Sequence, residues 1–97
     1  MKIFLADAVS TECSTILEDA GLTVDNRPGL ELDHKMAAVA DAYGLVVRSA
    51  TKVTAEMMDA APDLKVIGRA GSGVDNIDVS AATERGILVM NAPGENT

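Results

Sequence analysis

Short aliphatic runs recur along the chain at Ile3–Ala6, Leu22–Val24, Leu45–Val47, Lys65–Gly68 and Ile87–Met90. Their starts lie about 20 residues apart, the length of a strand plus a crossover helix. The third to fifth runs alternate little between apolar and polar residues, which predicts strands covered on both faces. The stretches between the runs carry helical spacing instead. After Ser10, a residue suited to an N-cap, Cys13, Ile16, Leu17 and Ala20 fall at i, i+3, i+4 and i+7. Gly21 follows where a left-handed C-terminal glycine belongs. Leu32, Met36, Val39 and Ala40 form a second stripe, which Gly44 is expected to close. Thr54 is expected to cap a short third helix with Met57, Met58 and Ala61 inside and Pro62 ending it. Asp78 is expected to cap a fourth that runs to Arg85, with Gly86 behind it.

Strict alternation of strand and helix implies a parallel sheet with helices on both faces. Five such units predict an α/β, flavodoxin-like three-layer α/β/α fold with a five-stranded parallel sheet, order 2-1-3-4-5. Residues 1–90 read as one domain. Residues 91–97 hold turn-forming types with no further element, so the chain is expected to stop inside a connection.

Composition narrows the function classes. The chain has 97 residues, of which 47% are apolar and 24% charged, as in a soluble globular domain. A net charge of −7 argues against nucleic acid or an anionic membrane as partner, because both require a basic face. Cys13 is the only cysteine, so no intrachain disulfide forms, which fits a reducing, cytoplasmic setting. The apolar start ends at Asp7, too early for a signal peptide or a membrane span. No set of His, Cys, Asp and Glu has metal-ligand spacing. His34 lies among Asp33 and Lys35 and reads as solvated; Cys13 reads as core.

Open parallel sheets bind ligands beyond the carboxyl ends of their strands. The residues there are Asp7, then Arg48 and Ser49, then Arg69 to Gly73. Two arginines leaving neighbouring strands at one edge make a candidate anion clamp, since a guanidinium is a planar fork matched to carboxylate or phosphate. The plainer reading pairs each arginine with a surface acid. In Gly71-Ser72-Gly73-Val74 the glycines let backbone N–H groups converge on an anion. The same loop also reads as a simple tight turn. Its spacing is G-x-G-x-x-N, ending at Asn76, and it follows the fourth strand, so it is not the dinucleotide fingerprint.

Three stretches carry more than fold information: Leu45–Thr54 (LVVRSATKVT), Val66–Asp78 (VIGRAGSGVDNID) and Ala81–Pro93 (AATERGILVMNAP). The second resembles the D-isomer-specific 2-hydroxyacid dehydrogenases, and the first narrows the resemblance to their phosphoglycerate branch. The resemblance implies a flavodoxin-like substrate domain paired with an NAD-binding domain, and an oxidoreductase that oxidises 3-phospho-D-glycerate in serine synthesis. It implies that Arg48, Ser49, Arg69 and the loop Gly71, Ser72, Gly73 and Val74 bind a small phosphorylated 2-hydroxyacid, with Lys52 in support. By the same resemblance Ser72 also approaches the cofactor NAD, and Asn91 and Ala92 lie near a hinge.

The family's catalytic arginine, glutamate and histidine and its cofactor loop are expected after Thr97. On this expectation the 97 residues alone are inactive, and apolar surface is left uncovered. The whole enzyme is expected to be a homo-oligomer. Two alternatives stay open: another 2-hydroxyacid dehydrogenase acting on glyoxylate or hydroxypyruvate, and a stand-alone anion-binding or signalling module.

Overall fold

Each of the five aliphatic runs supplies one strand of a single sheet. A computed structural model describes residues 1–8, 11–48, 50–70 and 75–92. The strands are β1 (Lys2–Leu5), β2 (Thr23–Asn26), β3 (Gly44–Val47), β4 (Val66–Ala70) and β5 (Leu88–Ala92). All neighbours are parallel and the order is β2-β1-β3-β4-β5, as the alternation of elements predicts. The helices are α1 (Thr11–Asp19), α2 (Leu32–Val39), α3 (Ala55–Asp59) and α4 (Val79–Glu84).

Side-chain alternation along the strands divides the apolar residues between two faces. Phe4, Leu45, Val47 and Ile67 point to one face, where Ala38 and Val39 of α2, Met57 and Met58 of α3, and Ala81 and Ala82 of α4 bury them. Ile3, Leu5 and Val46 point to the other, where Leu17 of α1 packs with Leu22, Val24 and Tyr43. The methionines of α3 are therefore core, as their spacing suggests. Two of the expected caps form. The Thr54 hydroxyl accepts a 3.2 Å hydrogen bond from the Met57 N–H, and the Asp78 carboxylate accepts one of 3.0 Å from the Ala81 N–H. Gly21 and Gly86 have φ of 88° and 71°, the left-handed conformation that a helix end favours and that only glycine adopts cheaply.

The structure corrects several expectations. Gly44 does not close α2, which ends at Val39; it opens β3 between β1 and β4. A Cβ there would lie 2.5 Å from Ile3 Cδ1 and 3.2 Å from Val66 Cγ1, so the side chains packed over this position favour glycine. The helical stripes are only partly buried. Leu32 is 64% exposed, and Ala40, Ile16 and Ala20 also face outward, because no element among the described residues lies over them. The Cys13 side chain and the Ser10 cap lie outside the described residues. β2 begins at Thr23 and leaves Leu22 just before it.

The fifth strand is not covered on both faces either. It is a sheet edge, and Leu17 of α1 packs with Ile3, Leu5 and Val46 of β1 and β3. Leu88 and Met90 are consequently 57% and 44% exposed, and Met90 borders an apolar cavity of about 210 Å³ with Val66 and Gly68. No helix among the described residues is long and apolar enough to cross a membrane.

Candidate functional site

The register of the sheet determines what meets at its carboxyl edge. Val47 pairs with Arg69, which places Arg48 one residue beyond it on the neighbouring strand, and Arg69 pairs in turn with Asn91. Behind them lie two connections, of which residues 48 and 50–53 are described after β3 and residues 75–78 after β4. A parallel bridge between Val53 and Ile77 ties these together, with Val53 N–H donating to Asn76 O at 2.8 Å and Asp78 N–H donating to Val53 O at 2.9 Å.

Asp7 anchors the first connection. Its carboxylate is buried and accepts three hydrogen bonds, from the Arg48 N–H at 2.7 Å, the Thr51 N–H at 3.1 Å and the Thr51 hydroxyl at 2.5 Å. Lys35 of α2 donates to the same Thr51 oxygen at 2.9 Å. A buried carboxylate is tolerated only when its lone pairs are satisfied, and this one satisfies the backbone of the turn that presents Arg48.

Asn76 joins the two connections. Its amide nitrogen donates to the carbonyl oxygens of Arg48 and Thr51, and its amide oxygen accepts a 2.7 Å bond from Arg69 Nε. Only one orientation of the amide fits two acceptors on one side and a donor on the other. Arg48 Nη1 also donates to Ala8 O, at 3.4 Å. The result is an edge on which two permanently charged guanidinium groups, one exposed and one half-buried, are carried by turns that are bonded to each other.

Arg27, which follows β2, is committed elsewhere. It donates to both oxygens of Asp25 at 2.8 and 2.7 Å, and Lys2 approaches the same carboxylate at 3.3 Å. The hydrogen bond from Arg27, with that from Lys2, holds the Asp25 carboxyl below the usual carboxylate range against the opposing effect of partial burial. Asp59 is lowered in the same way by Arg85, and Asp41 by Lys2.

Of the residues expected in the site, Arg48 and Arg69 come together at one edge. Ser49, Gly71, Ser72, Gly73 and Val74 lie outside the described residues. Asn91 and Ala92 are the last residues of β5, in register with Arg69 and Ala70. Lys52 is exposed beside Thr51, and His34 is exposed. Thr51, Asn76 and Lys35 were not expected to take part, and Asp7 was expected only by position. An acid directly after the first aliphatic run and an asparagine closing the glycine loop were the available signals. Among the described residues no three His, Cys, Asp or Glu side chains come together as a metal site.

A dinucleotide requires a glycine-rich turn after the first strand, so that the backbone can approach the pyrophosphate. Here Ala6, Asp7 and Ala8 follow β1, with no glycine and a carboxylate in the turn. These residues do not fit a dinucleotide; the arginine edge fits a small anion.

The sequence matches the profile of the D-isomer-specific 2-hydroxyacid dehydrogenase catalytic domain over residues 3–97. The chain belongs to that family. It is 49% identical to the human D-3-phosphoglycerate dehydrogenase over 96 residues, which is 99% of this chain and 18% of the human protein. The D-3-phosphoglycerate dehydrogenase of Archaeoglobus fulgidus is 48% identical over 97 residues, 100% of this chain and 18% of that one. The chain thus spans under a fifth of the length of these curated relatives. Among solved structures, the NAD+-bound 3-phosphoglycerate dehydrogenase of Entamoeba histolytica superposes with a TM-score of 0.82 at 34% identity, covering 94% of this chain and 32% of that one.

Proposed function

We propose that these residues form the substrate-binding part of an NAD-dependent dehydrogenase that oxidises 3-phospho-D-glycerate to 3-phosphooxypyruvate, the entry to serine synthesis. The observation that carries this reading is the pair Arg48 and Arg69, held on adjacent strand ends and bonded through Asn76. The substrate has a carboxylate and a phosphate, and two guanidinium groups at one edge match two anions. Family membership and the relatives' names support the same substrate class. Ser49 and the loop Gly71 to Val74 complete the pocket in this reading, with Ser72 also facing the cofactor. Residues 1–90 are the domain, and Asn91 and Ala92 begin a hinge.

NAD+ is the hydride acceptor and is held by residues outside this sequence. The 97 residues alone are accordingly inactive. The working protein is cytoplasmic and a homo-oligomer, with neither nucleic acid nor membrane as partner.

The test is NADH formation by the native polypeptide that carries this sequence, supplied with 3-phospho-D-glycerate and, in parallel, D-lactate and D-glycerate. Selective turnover of the phosphorylated acid, lost on Arg48→Ala, is expected. Equal turnover of the unphosphorylated acids would assign a different 2-hydroxyacid substrate. No dehydrogenase activity on any of them would leave an anion-binding module.

A further inference from the structure

We infer that Asn76 is a positioning residue that sets the spacing of Arg48 and Arg69, so that the edge distinguishes a ligand with two anionic groups from one with a single anion. The inference rests on the proposed function for its ligand, but its geometry does not. Asn76 directs both of its amide donors and its amide oxygen at the two arginine-bearing segments. Both amide hydrogens go to backbone carbonyl oxygens, those of Arg48 and Thr51, and the amide oxygen accepts from the Arg69 side chain. The Asn76 backbone is fixed as well, because its carbonyl accepts from Val53 N–H at 2.8 Å. A guanidinium is planar, so binding its Nε–H restricts the plane in which its other nitrogens lie. One side chain thereby links the backbone under Arg48 to the plane of Arg69.

This arrangement has a specific consequence. A single anion can be held by one guanidinium alone and so depends less on the distance between the two. A carboxylate and a phosphate on one short carbon skeleton must be met together, so their binding depends on that distance. Asn76 touches neither anion in this account; it acts through the arginines.

The test has two arms on the 97-residue chain, each with Asn76→Ala and Asn76→Asp. Without ligand, NMR exchange of the Arg69 Nε–H is expected to be slow in the wild type and fast in Asn76→Ala. It should stay slow in Asn76→Asp, which keeps an acceptor. Equal exchange in wild type and Asn76→Ala would overturn the inference whatever the ligand does. With ligand, Asn76→Ala is expected to weaken 3-phosphoglycerate by about tenfold, the equivalent of one lost charge-assisted bond, and to leave inorganic phosphate nearly unchanged.

Asn76→Asp is also expected to lose 3-phosphoglycerate selectively, since its carboxylate would face the carbonyl oxygens of Arg48 and Thr51 and push that backbone away. It therefore decides the question if Asn76→Ala does not fold. Equal loss of both ligands would mean general loosening and would overturn the inference. A wild type that binds 3-phosphoglycerate no better than its variants would do the same. A wild type that binds neither ligand would instead remove the proposed function, and the two-anion claim with it.

Discussion

Thr51 donates to both oxygens of the Asp7 carboxylate, its hydroxyl to Oδ1 at 2.5 Å and its backbone N–H to Oδ2 at 3.1 Å. Together with the Arg48 N–H, which shares Oδ2, this makes Asp7 the only side chain of β1's turn that holds the arginine-bearing segment among the described contacts. Asp7→Ala leaves two backbone donors without that acceptor, at about 1–3 kcal/mol for each buried group left unpaired. Asp7→Asn retains one acceptor oxygen and should lose less. Urea unfolding checks this: the midpoint should fall in the order wild type, Asn, Ala, with the slope unchanged. An unmoved midpoint in Asp7→Ala would mean that the carboxylate does not support the turn.

Lys35 and Thr51 are partners in the same network, at 2.9 Å. Lys35→Met and Thr51→Val each remove one end of that bond while preserving much of the side-chain volume. A double-mutant cycle should return a coupling of about 0.5 kcal/mol or more, as residues of one hydrogen-bond network do. Additive effects would show that the lysine is simply solvated.

Gly44 admits a test of close strand packing. Gly44→Ala drives a Cβ into Ile3 Cδ1, the movable end of a side chain that borders the apolar cavity. The methyl has space to move into, so the cost should sit near the low end of overpacking, about 1 kcal/mol. Ile3→Val deletes Cδ1, and in that background the cost of Gly44→Ala should shrink. A larger cost there would place the conflict at Val66 instead.

Acid sensitivity follows from the paired aspartates. Asp25 has a folded pKa below its unfolded one, so its contribution is complete above the ordinary carboxylate value of about 4 and disappears as pH falls through the lower native value. Asp25→Asn should therefore be less stable than wild type near neutrality, and the gap should close in strong acid. Urea midpoints of both proteins across the acid range measure this; a gap that widens as pH falls would contradict the sign.

The fold was legible where local chemistry decides it. Thr54 and Asp78 cap helices because a hydroxyl or carboxylate three residues before an N–H can do so in any context. Arg48 and Arg69 meet because adjacent parallel strands bring their carboxyl ends together. Gly44 was misread because a glycine after a helical stripe looks the same whether it ends the helix or admits a neighbouring strand. Ile16 and Leu32 carry the right periodicity and Leu88 lies in an unbroken aliphatic run, but neither pattern states whether anything lies on top of it. Thr51, Asn76 and Lys35 were missed for a different reason. Their bonds join residues 7 to 44 positions apart, and nothing in the local sequence of either partner announces them.

The central claim is that the arginine edge receives a phosphorylated 2-hydroxyacid, and titration of the 97-residue chain with 3-phosphoglycerate, followed by NMR, tests it most directly. Saturable shifts at Arg48, Thr51, Arg69 and Asn76, abolished by Arg48→Ala in a chain that stays folded, are the predicted result. Shifts confined to the apolar face around Val66, Leu88 and Met90, or shifts that survive the loss of Arg48, would contradict it.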